Sequence, residues 1–175
     1  MKHYDFALSF HALFEQAVAR YSSGRRGATI FFSADEQSFL AANGLTPQHL
    51  YDYAEDRNNY GAPDGGTALA IECVRRDYFL NVQQSITSAV VLDPDTLPSK
   101  TKTVRDLAWL PRLIPKARAK LRGELPPSLM FGCGGDRSFF EQHNIFPAEF
   151  LNLVWRLGDD DAAIVDWVVR RIAGQ

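Results

Sequence analysis

The sequence predicts an all-α protein made of two tandem four-helix repeats related by a pseudo-two-fold axis, with a linker between them that has room for a short strand. The first ground is an internal match: "FFSADEQSFLAANGLTPQHLYDYA" (31–54) lies over "FGCGGDRSFFEQHNIFPAEFLNLV" (131–154) without a gap. The second is periodicity, because apolar residues recur three and four apart along the long segments. The third is punctuation: helix-start and helix-stop residues fall at matching places in both halves.

The internal match falls on core-type positions. Phe31, Ser38, Phe39 and Pro47 meet Phe131, Ser138, Phe139 and Pro147, and Leu40, Leu45, Leu50 and Ala54 meet Phe140, Ile145, Phe150 and Val154. Upstream, Leu13, Phe14, Ala17, Ala19 and Arg20 lie over Leu113, Ile114, Ala117, Ala119 and Lys120. Downstream, "ALAIECVRR" (68–76) aligns with "AIVDWVVRR" (163–171) at a shorter offset. The expected organisation is a first repeat at 1–84, a linker at 85–104 and a second repeat at 105–175.

Each repeat then decodes in order. The first helix carries Phe6, Phe10, Leu13, Phe14, Ala17 and Tyr21 on one face, and its partner carries Leu110, Leu113, Ile114, Ala117 and Leu121. Pro115 sits badly inside a helix, so the regular part of that partner is expected to begin near Ile114 or to kink there. The second helix is short, about 34–43 and 134–143, and stops at Gly44 and Asn144, residues that tolerate a left-handed backbone. The third opens at Thr46-Pro47 and Phe146-Pro147, where proline loses no helical hydrogen bond. The fourth spans roughly 65–80 and 160–173, the latter behind Asp159, Asp160 and Asp161, whose charges suit the positive end of the helix dipole. "SAVVLD" in the linker and "ATIFF" (28–32) are the β-like runs, and neither has an evident partner.

Composition narrows the function classes. In 175 residues, 46% hydrophobic, 19 basic side chains face 21 acidic ones for a net charge of −2, which supplies no general attraction to nucleic acid or to an anionic membrane. No apolar run approaches the roughly 20 residues that span a bilayer. The first residues do not read as a secretion leader, and Cys73 and Cys133 form neither a disulfide framework nor a metal clamp. The expectation is a soluble, reduced, cytoplasmic protein with no membrane partner and no nucleic-acid partner.

The run "FGCGGDRSFF" (131–140) holds the most provocative side chain, Cys133. By the internal match it stands where Ser33 stands, and Asp136 stands where Glu36 stands. "SADE" is a capping box, so "CGGD" reads first as a weaker helix start of the same kind. Cys133, with Asp136, is also a candidate catalytic pair, because a helix N-terminus favours a reactive thiol. His143 is a poor base for it: ten residues along the same helix puts it on the order of 15 Å away. The glycines lack the ending of a phosphate-binding loop.

Three stretches resemble a known family. "LAWLPRLIPKARAKLRGELP" (107–126), "GCGGDRSFFEQHNIFPAEFL" (132–151) and the last helix around Trp167 are similar to the domain-of-unknown-function family 5069, over about residues 104–173. The first repeat is a divergent relative that lacks the long basic run and replaces the cysteine with Ser33. The cysteine and aspartate of "CGGD" are typical of that family, which strengthens the thiol reading. The resemblance implies no activity, substrate or cofactor.

Other groupings suggest binding rather than catalysis. Arg105, Arg112, Lys116, Arg118, Lys120 and Arg122 read as the solvated face of an amphipathic helix, with Arg112 and Lys116 as candidate ligand-binding cations for an acidic partner or phosphate. Asp52, Glu55 and Asp56 share a helical face and are candidate ligand-binding carboxylates, expected to pair with Arg57, Arg75 or Arg76 across the third and fourth helices. His3, His11, His49 and His143 have no metal-ligand spacing, so no metal and no cofactor are expected. Cys73 reads as core beside Leu69, and Trp109, Trp155 and Trp167 read as packing anchors. The residues thus point to a non-enzymatic binding or interaction module for a protein or small-molecule partner. The alternatives are an enzyme using Cys133 as nucleophile in an inter-domain groove, and a small-molecule sensor with its ligand in that groove.

Overall fold

A computed structural model describes residues 3–174, the side chain of His3 excepted, and shows nine α-helices and one two-stranded antiparallel sheet among them. The protein is all-α in character. It divides into two compact units, one ending at Ile86 and the other beginning at Thr87.

The first unit contains α1 (His3–Ser22), α2 (Ala28–Phe31), α3 (Ala34–Ala42), α4 (Pro47–Tyr60) and α5 (Gly65–Asn81). Its core joins Phe6, Phe10 and Phe14 of α1 to Leu40, Leu50 and Ile71 of the later helices, all of them buried. The β-like "ATIFF" run forms the helical turn α2 instead. With no neighbouring strand to pair with, its backbone closes locally, Ile30 N–H bonding back to the Gly27 carbonyl at 3.1 Å.

The second unit contains β1 (Thr103–Val104), β2 (Leu107–Ala108), α6 (Leu110–Arg122), α7 (Gly134–Gln142), α8 (Pro147–Leu157) and α9 (Asp161–Ile172). Its strands are not at "SAVVLD": Leu92 N–H goes to the Glu124 carbonyl at 2.8 Å, past the end of α6. Much of the stretch expected as linker, from Thr87 on, lies within this unit. Leu97 is buried there and Arg112 donates to the Pro98 carbonyl at 3.0 Å. The two strands are joined by Arg105 and Asp106, both at positive φ (48° and 61°), the backbone a tight two-residue hairpin turn demands.

Helix α6 begins four residues before the expected Ile114. The Trp109 carbonyl accepts from Arg112 N–H and Leu113 N–H and closes the first turn. Pro111 sits in that first turn, where the missing N–H costs nothing. Pro115 lies inside the helix and forgoes only the bond to the residue four positions back.

The punctuation is parallel in the two units. Ser33 and Cys133 are N-caps with nearly the same backbone (φ −68°, ψ 167° and φ −62°, ψ 170°). Asn43 and His143 are C-caps, followed by left-handed Gly44 and Asn144. Pro47 and Pro147 open the next helices. Asp64 caps α5 through Thr67 N–H at 2.7 Å, and Asp160 caps α9 through Ala163 N–H at 2.9 Å.

Helix α5 departs from expectation. Its buried stripe runs through Ala68, Ile71, Glu72, Arg75, Arg76 and Phe79, while Cys73, expected in the core, is only half-buried. Burial and the Asp77 charge raise the Cys73 thiol above its ordinary pKa. Glu72 accepts from the buried Tyr53 hydroxyl at 2.8 Å, and Arg76 donates to Asn43 at 2.7 Å. Glu72 and Arg76 are tolerated inside because these polar partners meet them there, and the Arg75 guanidinium stands 5.3 Å from the centre of the Phe79 ring.

Candidate functional site at the start of α7

Asp136 is the hub of the second unit. It stands at the third position of α7 and is fully buried. Its Oδ2 accepts from Lys116 Nζ of α6 at 2.8 Å and from Gly132 N–H at 2.8 Å, and its Oδ1 accepts from the Trp109 indole N–H at 2.9 Å. Three donors around one carboxylate satisfy a charge that the interior would otherwise expel.

Lys116 is itself 3% exposed. Its ammonium also donates to Cys133 Sγ at 3.2 Å. The cysteine occupies the N-cap position as expected, but its side chain does not cap: no helix N–H is bonded to the sulfur. Ser33 in the first unit does cap, with Oγ accepting from Glu36 N–H at 3.3 Å and Glu36 accepting from Ser33 N–H at 2.7 Å. In each unit the carboxylate of the short helix pairs with a cation of the long one. For Glu36 that cation is Arg20 at 2.6 Å, whereas Lys116 sits one turn earlier, over Gln16 in the internal match. The Arg20 guanidinium and the Ser33 N–H hold Glu36 well below its ordinary pKa, at about 2.

Trp109 links this hub to an open cleft of about 390 Å³. The cleft is walled by Asp106, Leu107, Ala108 and Trp109 on one side, and by Gly135, Ser138, Phe139, Gln142 and His143 of α7 on the other. The α7 residues fall at spacings of three and four, a single helical face. The indole lies so close over Gly135 that a Cβ there would overlap the ring. Trp109 has a positive φ (71°), as do Arg105 and Asp106 in the hairpin turn, so three non-glycine residues with positive φ fall within five positions in and beside the hairpin. Arg105 anchors the turn to Asp166 of α9 at 2.9 Å. Burial lowers the His143 imidazole below its ordinary pKa, so it is neutral at pH 7, and Phe139 packs edge-on to it at 4.6 Å between ring centroids.

The structure brings Cys133, Asp136 and Lys116 together, and it separates the other candidates. Lys116 and Lys120, read from sequence as solvated, are buried, and Arg112 is engaged by the Pro98 carbonyl, so α6 does not offer Arg112 and Lys116 as an exposed cation pair. In the first unit Asp52 accepts from Gln48 at 2.6 Å, Glu55 accepts from Tyr21 at 2.7 Å, and Asp56 is half-buried on the same helix. Among the described residues no three His, Cys, Asp or Glu side chains group as metal ligands, and no helix is long and apolar enough to cross a membrane. His11 stands against Gly65, His49 caps α4 with Thr46, and the side chain of His3 lies outside the described residues.

Trp109 was missed as a site residue. The available signal was its place between a hairpin and a proline-led helix, opposite two consecutive glycines that permit close approach. Compared with known protein families, curated proteins and solved structures, the chain matches none of them.

Proposed function

We propose that the protein is a non-enzymatic binding module whose small-molecule ligand occupies the cleft between α7 and the β1–β2 hairpin. The observation that carries this is the cleft itself. Its volume is in the range of small-molecule sites, Trp109 lends it an aromatic surface, and one wall is a hairpin held at its turn by the Arg105–Asp166 ion pair and just past its second strand by the Trp109–Asp136 hydrogen bond. The test is a thermal-shift screen against a metabolite library, run on the native protein and on Ser138→Trp, which fills the cleft from an exposed position. Shifts confined to the native protein support the reading; a flat screen, or shifts shared by both proteins, refutes it.

The same reading takes the two units as copies of one helical unit, supported by the matched caps, and the second as akin to family 5069. Two free cysteines support a reducing, cytoplasmic setting.

A second reading is favoured by the contact between Lys116 and Cys133. A half-buried cysteine whose sulfur accepts a charged hydrogen bond and has no capping duty supports a nucleophile's role. Iodoacetamide should then label Cys133 faster than it labels Cys73 or free cysteine, and Lys116→Met should remove the difference. Equal labelling at neutral pH would end this reading.

A further inference from the structure

The polar groups lining the cleft are presented to solvent: Asp106, Ser138 and Gln142 are exposed and His143 is half-buried. Among the described residues the side chains of Asp106, Ser138, Gln142 and His143 make no hydrogen bond or ion pair. The matching helix of the first unit differs. There Ser38 donates to the Ala34 carbonyl at 2.8 Å, and Asn43 donates to the Phe39 carbonyl at 2.7 Å while accepting from Arg76. On that face of α3 Ser38 and Asn43 bond to groups of the first unit, whereas on α7 Ser138 and His143 bond to none and border a hollow.

The character of those groups constrains what fits. Gln142 offers an amide, His143 a neutral imidazole with one donor and one acceptor, and Ser138 a hydroxyl, so each presents both hydrogen-bonding polarities. Leu107, Trp109 and Phe139 supply flat or apolar surface. The one ionised lining group is the Asp106 carboxylate, and the Lys100 ammonium stands 6.0 Å from the centre of the Trp109 ring. An anion would meet Asp106 without a lining cation to compensate.

We infer that the cleft takes a flat, uncharged nitrogen heterocycle with a hydrogen-bond donor beside an acceptor on one edge, the pattern a nucleobase or nucleoside presents. The ring lies against Trp109, and its edge meets Gln142 and His143. This inference rests on the cleft being the binding site and adds the class of ligand.

The experiment is calorimetric titration of the full chain with adenosine, guanosine, AMP and cyclohexanecarboxamide. A nucleoside should bind saturably. AMP, the same base with an anionic group, should bind about fivefold more weakly, and the amide without an aromatic ring should show no heat. Gln142→Leu and His143→Phe should each weaken nucleoside binding about fivefold without moving the unfolding midpoint, as loss of one hydrogen bond of about 1 kcal/mol in an open cleft requires. Three results overturn the inference: no nucleoside binding, AMP binding as tightly as adenosine, or nucleoside binding indifferent to both substitutions. If the library screen still separates native protein from Ser138→Trp, the ligand class alone has failed; if it does not, the cleft has failed with it.

Discussion

Lys116 and Asp136, twenty positions apart on α6 and α7, form a buried ion pair at 2.8 Å whose carboxylate also holds the Trp109 indole. The pair ties the two helices together and sets the wall of the cleft with the same side chain. Its energetics are asymmetric: each charge is acceptable only while the other is present.

Asp136→Asn should therefore cost about 3–5 kcal/mol in urea unfolding, because it leaves the Lys116 ammonium buried without its counter-charge. Lys116→Met in the same chain should recover much of that loss. If the double variant is no more stable than Asp136→Asn alone, the pair is not what makes the single substitution costly.

Gly135→Ala isolates the contact with Trp109. Inside a helix this substitution ordinarily stabilises by about 0.5–1 kcal/mol, yet here the new methyl group would meet the indole. The expected result is a loss of about 1–3 kcal/mol from overpacking. In a Trp109→Ala background the same change should become neutral or stabilising. A cycle of four unfolding curves decides it, and additivity would contradict the contact.

Glu36 should show itself in acid. Its pKa is about 2 in the folded protein, against an ordinary value near 4.5, so its contribution is complete above the ordinary value. That contribution is lost as pH falls through the window down to about 2, because the unfolded chain takes up the proton first. Glu36 and Arg20 are partly exposed, so screening reduces the effect. Glu36→Gln should cost about 1 kcal/mol at neutral pH, mostly as a weakened helix start, and should flatten the pH dependence of stability in that window. An unchanged acid profile would contradict the pairing.

What the sequence revealed and what it concealed divide along the range of the interactions. The helix starts at Ser33, Thr46, Pro147 and Asp160 and the stops at Gly44 and Asn144 were legible because caps and left-handed residues act within one turn. The Lys116–Asp136 pair was not, since charge on a helix is ordinarily solvated. One clue lay in register, because Lys116 and Lys120 follow Leu113 and Ala117 by three residues and so border the apolar face. The same assumption hid Glu72, Arg75 and Arg76 in α5. Trp109 read only as a packing anchor because a positive φ at a bulky residue has no local sequence signature.

The most direct measurement follows emission from Trp109 in a protein carrying Trp155→Phe and Trp167→Phe, titrated with adenosine and with each compound that shifts the native unfolding midpoint. Occupation of the cleft should change that emission saturably, and the change should vanish when Ser138→Trp, itself replaced by Ser138→Leu as a non-fluorescent filler, closes the hollow. Emission indifferent to every compound, or a response that survives the filled cleft, would contradict a ligand seated between α7 and the hairpin.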